Sequence, residues 1–388
     1  MKRGGDWEKA LHWYLEATQM NPRARDSLGK IATHYRLEGK HDLAYMFALQ
    51  GSRIPIPEEQ TLFSFVPHYH FANELSISAY YTPFKEEGLA FANEVVLGRD
   101  VPWYIKSRAY CNMVFYVHPL KNARYLPISI ELPLISPGSA DRYQPMNPAI
   151  QKTEKGYEVI CRVVNHTQKF ATDFKTIDPE GIFRSRNYLL HYDRDFKLLS
   201  QTEIVERLPR ERLRDNYRAS HVQGLEDCRT VTWKGKTWFT CSLRDTHPSG
   251  EPKVALCELG DTHPSGEPKV ALCELGNSGD SIDVKSLTPL KGPEPMRCEK
   301  NWLPFVKDGS LYAIYSWDPF ILYKPNPVTG EGETVLQYVS KDFDLSFFRG
   351  SAGPIPLDDG YLALVHEYAY DPSHGRIYFH RFVYLDQT

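Results

Sequence analysis

The stretch GLEDCRTVTWKGKTWFTCS, residues 224–242, shows how most of this chain folds. Two runs within it, 229–233 and 237–242, are rich in Thr, Val, Trp and Phe, the β-branched and aromatic residues favoured in strands. Lys234-Gly235 separates the runs, and a short Gly-containing turn of this kind joins two antiparallel strands. The stretch therefore predicts a β-hairpin.

The same pattern recurs from about Val117 to the end of the sequence, with Gly turns at Gly156, Gly309 and Gly360. Further strands are predicted at Tyr157–Val164, Asn187–Tyr192, Leu311–Tyr315, Tyr361–His366 and Arg376–Tyr384. Repeated hairpins with no helical pattern between them are typical of a propeller or a large sandwich. At roughly 50 residues per blade, we predict an all-β five-bladed propeller over residues 117–388.

Residues 1–116 follow a different period. Trp7, Ala10, Leu11 and Tyr14 recur at helical spacing, and the segment stops at Asn21-Pro22. The stretch at 5–11 aligns with 39–45, and 81–91 resembles a divergent third copy. Because the offset between the first two copies equals the tetratricopeptide period, we predict a tetratricopeptide-like helical repeat that precedes the all-β domain and offers a surface for a protein partner.

Composition excludes several classes of function. The formal net charge of −3 and pI of about 6.5 give no general attraction to nucleic acid or anionic membranes. No run of apolar residues is long enough to span a membrane, and no secretory signal is evident. The seven cysteines form no CxxC pair, so free thiols in a reducing, cytoplasmic setting are expected. We see no metal-ligand spacing or phosphate-binding Gly loop, and we expect no cofactor.

An unusual feature is the identity of residues 245–260 and 261–276, which both have the sequence DTHPSGEPKVALCELG. Diverged blades are not identical, so this is not a blade repeat but either a recent tandem duplication or an assembly error in the sequence. We expect one copy to lie in a surface loop or an additional edge strand, since loops accept insertions at low cost.

Several ordered segments of residues 145–388 resemble glycoside hydrolase family 130 and its relatives, the mannosyltransferases of glycosyltransferase family 108. The segments are Asn147-Pro-Ala-Ile, Gly156–Arg162, Gly224–Arg229 (with Cys228 where the family has Pro), Glu299–Phe305 and Gly360–Glu367. Residues 32–36, 42–48 and 74–81 resemble the helical tail that follows glycosyltransferase domains in some multidomain proteins. The resemblance implies a five-bladed propeller active on β-mannosides or related glycosides.

The resemblance also implies that Asp227 is the general acid, acting through a sugar hydroxyl. Considered without it, Asp227 is better explained as a structural carboxylate paired with Arg229 at a blade edge. Adjacent strand residues point to opposite faces, so Glu226 should not share the cleft with Asp227 unless the strand breaks there.

The other candidate residues are expected to bind substrate. Arg162, Arg186, Arg244 and Lys300 lie at or near strand ends and, like Arg229, suit phosphate, carboxylate or hydroxyl groups. Asn147, Asn187 and Asn301 suit sugar hydroxyls, although each also suits a turn. Trp317 is a candidate stacking platform or a packing residue between blades. His366 is a candidate for sugar contact, or a structural histidine.

Residues 313–320 lack the His-Arg-Pro element of the family's phosphorylases, which argues against inorganic phosphate as co-substrate. The remaining options are an inverting hydrolase, or a transferase that takes an oligosaccharide and a sugar nucleotide or sugar phosphate. The alternative is a non-catalytic glycan-binding propeller whose helical repeats act as a protein-interaction scaffold.

Overall fold

The computed structural model describes residues 6–55, 66–117, 142–170, 173–176, 178–206, 222–243, 269–278, 281–294, 300–371 and 375–386. The chain divides into two compact units. The helical unit comprises 1–123 with the short segments 341–344 and 369–372, and the sheet unit comprises 124–340, 345–368 and 373–388. The order of a helical region followed by a β-rich region is therefore as the sequence predicts.

The helical unit contains six α-helices among the described residues, each in contact with the next. They are α1 (Trp7–Met20), α2 (Asp26–Leu37), α3 (His41–Ser52), α4 (His68–Ser78), α5 (Gly88–Leu97) and α6 (Trp103–Met113). The side chain of Asp6 caps α1 by accepting from the backbone N–H of Lys9 at 3.3 Å. Buried Leu28, Phe71 and Leu75 form part of the core.

Helices α1 and α3 begin at Trp7 and His41, and this separation matches the offset predicted from the sequence. The proposed third copy differs in detail, because Ala79–Tyr81 and Lys85–Glu87 form 3₁₀ turns and the α-helix begins only at Gly88. The assignment of these helices to the tetratricopeptide class stays a prediction. Within the described part of the chain, every helix is too short or too polar to cross a membrane.

The sheet unit is built from antiparallel strands that follow one another along the chain. The first group is β1 (Gln144–Lys152), β2 (Tyr157–Val164), β5 (Phe183–Tyr192) and β6 (Leu198–Val205). The second is β8 (Glu226–Trp233), β9 (Lys236–Leu243), β10 (Lys269–Ser278) and β11 (Ser281–Pro289). A short parallel pairing of β6 with β11 joins these two groups into one hydrogen-bonded sheet.

Two further antiparallel sheets follow. The third group is β12 (Leu303–Lys307), β13 (Ser310–Trp317), β14 (Phe320–Pro325) and β15 (Gly332–Tyr338), and the fourth is β16 (Arg349–Leu357), β17 (Gly360–Asp371) and β18 (Gly375–Leu385). Strands β3 (His166–Phe170) and β4 (Asp173–Thr176) form a hairpin, and β7 (Val222–Gln223) pairs with β5.

The first strands of the four groups come together. Strand β1 contacts β8, β8 contacts β12, and β12 contacts β16. This arrangement is that of sheets whose inner strands meet at a centre, as in a propeller. The described residues supply four such groups, and the number of five blades stays a prediction.

The predicted hairpins are present. Lys234 and Gly235 have φ of 51° and 72° between β8 and β9, and Asp308 and Gly309 have the same values between β12 and β13. Positive φ at both central residues matches the twist of the flanking strands. In the duplicated segment, Lys269–Gly276 of the second copy belongs to β10, which lies between β9 and β11 and not at an edge. The first copy lies outside the described residues.

Candidate functional site

The inner strands share a backbone feature at the centre of the sheet unit. Asn147, Asp227 and Asn301 adopt left-handed conformations, with φ of 46°, 50° and 62°. The first two lie at register shifts in β1 and β8, and Asn301 lies just before β12. Asn and Asp tolerate this conformation better than other residues with side chains. A β-bulge re-aims its side chain. The first three strand groups thus each carry an amide or a carboxylate in a left-handed conformation near the start of the inner strand.

The carboxylate of Asp227 is bound on one oxygen. Asn147 donates from Nδ2 to Oδ1 at 2.7 Å, and Arg162 donates from Nη1 to the same oxygen at 2.9 Å. Oδ2 accepts no hydrogen bond from the residues that the structure describes. The side chain is 25% exposed. One oxygen is thus held by the protein while the other is available to a ligand.

The surrounding charges keep Asp227 ionised. Burial by itself would raise the pKa of this carboxyl, but the charge of Arg162, the hydrogen bond from Asn147 and the charges of Arg229 and Lys300 outweigh that effect. The pKa therefore lies below its ordinary value, and the group is a carboxylate at neutral pH. This state is the opposite of the resting protonated acid that the family resemblance implies.

Arg162 is held by protein groups on all three nitrogens. Its Nε donates to Ser185 Oγ at 2.9 Å, its Nη1 to Asp227, and its Nη2 to Glu226. The two adjacent carboxylates thus bind the same guanidinium. The alternation of an unbroken strand would separate Glu226 from Asp227, but the register of β8 shifts between Glu226 and Arg229. The bulge is the break in the strand that this arrangement requires.

Two more cations lie close enough to affect the site electrostatically. Arg229 is 8% exposed and donates from Nη1 to the carbonyl of Cys228 at 3.0 Å, while its buried Nε has no hydrogen-bond partner among the described residues. Arg229 and Lys300 lower the pKa of both Asp227 and His366. They therefore lie near both groups.

His366 lies on β17 and shares a hydrogen bond of 2.8 Å between its Nδ1 and Ser351 Oγ. Burial first, and then the charges of Arg229, His380, Arg349 and Lys300, lowers the pKa of His366 to about 4. The imidazole is therefore neutral at neutral pH and can donate or accept a hydrogen bond.

The remaining predicted residues have other surroundings. Arg186 binds Glu203 through Nε at 2.7 Å and lies over the ring of Tyr143. Asn187 is buried and donates to the carbonyl of Leu225 at 3.0 Å, a contact that fixes the backbone just before Glu226.

Trp317 is 5% exposed and contacts the rings of Phe320 and Phe348, so its surroundings match the packing role better than a stacking platform. Asn301 has a left-handed backbone, with φ of 62°. Arg244 lies outside the described residues.

Ser185 and Ser351 belong to the site but were not predicted from the sequence. Nothing in the sequence around Ser185 distinguishes it. Ser351 follows Gly350 at a register shift in β16. Asn147 and Asp227 also lie at register shifts of their strands, and such shifts depend on strand pairing, which the sequence does not record.

Comparison with solved structures yields propeller-like glycoside hydrolases, each at low identity. One belongs to the glycoside hydrolase family 130 of mannoside phosphorylases, which contains glycoside hydrolases that target β-1,2-mannosidic linkages in Candida mannan (14% identity, 63% of this chain, 68% of that chain, TM-score 0.37). Another is a family 43 β-xylosidase/α-arabinofuranosidase from a compost metagenome (13% identity, 64% of this chain, 74% of that chain, TM-score 0.31).

A third is a Cellvibrio cellulosa α-L-arabinanase (11% identity, 63% of this chain, 73% of that chain, TM-score 0.30). No protein-family model and no curated protein matches the sequence.

Proposed function

We propose that the sheet unit is a five-bladed propeller whose centre binds a saccharide, and that Asp227 exchanges a proton with a hydroxyl of that saccharide. The observation that carries the proposal is the asymmetry of the Asp227 carboxylate. Oδ1 accepts from Asn147 and Arg162, while Oδ2 accepts from no described residue. A carboxylate fixed on one oxygen presents the other at a defined position, as proton transfer requires.

The charge state favours one direction of the reaction. Because Asp227 is ionised at neutral pH, it is ready to accept a proton from a hydroxyl and not to donate one. In glycosyl transfer, the acceptor O–H bond breaks and its proton moves to Asp227 Oδ2. The acceptor oxygen forms a bond to the anomeric carbon, and the leaving group departs with the electron pair of the bond that breaks. A phosphate or nucleotide leaving group departs without being protonated, whereas hydrolysis of a glycoside also needs an acid that protonates the leaving oxygen, and ionised Asp227 does not supply that proton. We therefore favour transfer from a sugar phosphate or sugar nucleotide over hydrolysis.

The residues near Asp227 suit the other parts of such a substrate. Asn147 and Asn301 carry amides that donate to and accept from sugar hydroxyls. The positive charges of Arg229 and Lys300 act on Asp227, and cations so placed suit a departing group that carries negative charge. The sequence resemblance to glycoside hydrolase family 130 makes mannosyl donors and β-mannosides the first substrates to test.

The test is synthesis of oligosaccharide from mannose 1-phosphate or GDP-mannose with manno-oligosaccharide acceptors, run beside hydrolysis of β-mannosides. Asp227→Asn keeps a residue that tolerates the left-handed backbone and removes the proton acceptor, so turnover should fall by about 10²–10⁴-fold. Unchanged turnover in this variant would contradict the role of Asp227.

The matched control is Asp178→Asn. Asp178 is also a carboxylate of the sheet unit with a lowered pKa, and it binds Arg184 Nε at 2.9 Å and two backbone N–H groups. Its loss should leave turnover within about two-fold of the wild type, because its partners are all protein groups.

A second candidate is glycan binding without catalysis. Hydrolysis of a glycosidic bond uses two carboxylates, and Glu226, the carboxylate adjacent to Asp227, is bound to Arg162. Glycan-array binding without turnover of any donor, and unaffected by Asp227→Asn, would favour this candidate.

A further inference from the structure

The feature behind this inference is a buried guanidinium shared by two neighbouring carboxylates. Arg162 on β2 bridges Glu226 and Asp227 on β8, and its third nitrogen binds Ser185 on β5. The Arg162 side chain is 6% exposed and that of Glu226 is 10% exposed, whereas that of Asp227 is 25% exposed. Of the three side chains, Asp227 is therefore the most accessible to a ligand.

Such a geometry leaves Arg162 little capacity to bind substrate. Each of its three nitrogens already donates to a protein oxygen, and the group is almost fully enclosed. Breaking one of these contacts would leave a buried carboxylate or guanidinium without its partner, at a high cost in free energy. Its position is explained by the hydrogen bonds that it donates to Asp227 and Glu226.

We infer that Arg162 is a positioning residue, which fixes Oδ1 of Asp227 so that Oδ2 faces the substrate, and that Glu226 limits how strongly Arg162 acts on Asp227. This inference rests on the proposed function and deepens it. The guanidinium is planar and its donors are rigidly arranged, so one Arg can orient two carboxylates at once. Glu226 competes with Asp227 for the same positive charge.

Other groups also face this trio. Asn147 on β1, Arg229 on β8 and Lys300 before β12 all act on Asp227, and His166 at the start of β3 is affected by both Arg162 and Glu226. None of these groups is changed in the variants below. Any difference between the variants therefore reports on Arg162 and Glu226.

Two variants should shift the pKa of Asp227 in opposite directions. Arg162→Lys weakens the bidentate bridge, so the pKa of Asp227 should rise by about 1 unit. Glu226→Gln removes the competing charge, so Arg162 acts more strongly on Asp227 and its pKa should fall. The measurement is an NMR titration of the protein with carbon-13-labelled aspartate carboxyl groups, with the Asp227 signal assigned from its loss in Asp227→Asn.

The kinetic readout is the pH profile of kcat for whichever donor is turned over. Its acid limb should move to higher pH in Arg162→Lys and to lower pH in Glu226→Gln. A role limited to stability would lower the amount of folded enzyme without moving the limb.

The control is Arg36→Lys, which changes an Arg bound to a buried carboxylate in the helical unit and should leave the Asp227 titration unshifted. The inference is overturned if the two site variants shift Asp227 in the same direction or not at all. If Arg162→Lys does not fold, the direction of the Glu226→Gln shift decides by itself.

The titration needs no turnover, so it separates the two claims. Opposite shifts without turnover of any donor would support the role of Arg162 and count against the proposed transferase. Turnover that depends on Asp227, without the opposite shifts, would support the proposed function and contradict the inference.

Discussion

Two carboxylates illustrate different uses of an acidic side chain in this protein. Glu74 on α4 of the helical unit is 1% exposed and has both oxygens occupied: Oε1 accepts from Thr33 at 3.0 Å and from Arg36 at 3.3 Å, and Oε2 accepts from Arg36 at 2.5 Å. Asp227 in the sheet unit also binds an Arg, but its contacts fall on Oδ1 alone.

The difference separates a structural carboxylate from one available to a ligand. Glu74 joins α2 to α4, and both of its oxygens already accept hydrogen bonds from protein groups. Asp227 keeps one oxygen open, close to cations whose own partners are incomplete, such as Arg229. Burial and an Arg partner do not by themselves mark a functional acid. We propose that the distribution of partners over the two oxygens does.

The two carboxylates should differ most in what their loss costs in stability. Glu74→Ala leaves Arg36 and Thr33 without their buried acceptor, so the free energy of unfolding of the helical unit should fall by about 3 kcal/mol. Asp227→Asn should cost about 1 kcal/mol, because Arg162 keeps Glu226 as its partner. Urea unfolding followed by circular dichroism measures both, and equal losses would show that Asp227 is as structural as Glu74.

The next effect is a pH dependence of stability caused by His366, which lies near Arg229 and Lys300. His366 has a pKa of about 4 in the folded protein, below its ordinary value of 6.5. The unfolded chain therefore binds the proton first, and this contribution to stability is present above pH 6.5 and lost as pH falls towards 4.

The His366→Gln variant tests that assignment. Relative to this variant, the wild type should lose about 1–2 kcal/mol of unfolding free energy across that pH range. Urea titrations at several pH values measure the difference. A constant difference between the two proteins would mean that neither burial nor the neighbouring charges lower the pKa of His366.

The smallest effect sharpens the role of the left-handed backbone. Asn147 has φ of 46°, a conformation that glycine adopts freely and alanine does not. Asn147→Gly and Asn147→Ala both remove the hydrogen bond to Asp227, but only alanine adds strain, so it should be less stable by about 1 kcal/mol. Thermal or urea unfolding of the pair checks this, and equal stabilities would argue against a fixed bulge.

Much of the fold was predictable because it depends on local pattern. The strands at 157–164 and 376–384 and the turns at Lys234-Gly235 and Asp308-Gly309 follow from side-chain alternation and from residues that tolerate positive φ. The separation between the starts of α1 and α3 follows from the offset within the sequence.

The site was only partly predictable. The sequence singled out Asp227, Asn147 and Arg162, and the structure joins all three by hydrogen bonds. Strand alternation separates Glu226 from Asp227, and only the bulge in β8 brings both to Arg162. A bulge depends on how neighbouring strands pair, which no local pattern records.

The order of helices and strands and the positions of the turns follow from the sequence alone, because each depends on residues close together in the chain. The tertiary structure decided which oxygen of Asp227 is held, that Arg162 serves two carboxylates, and that Trp317 is enclosed among Phe320 and Phe348. Those outcomes depend on contacts between residues far apart in sequence, whose distances are fixed only when the sheets meet.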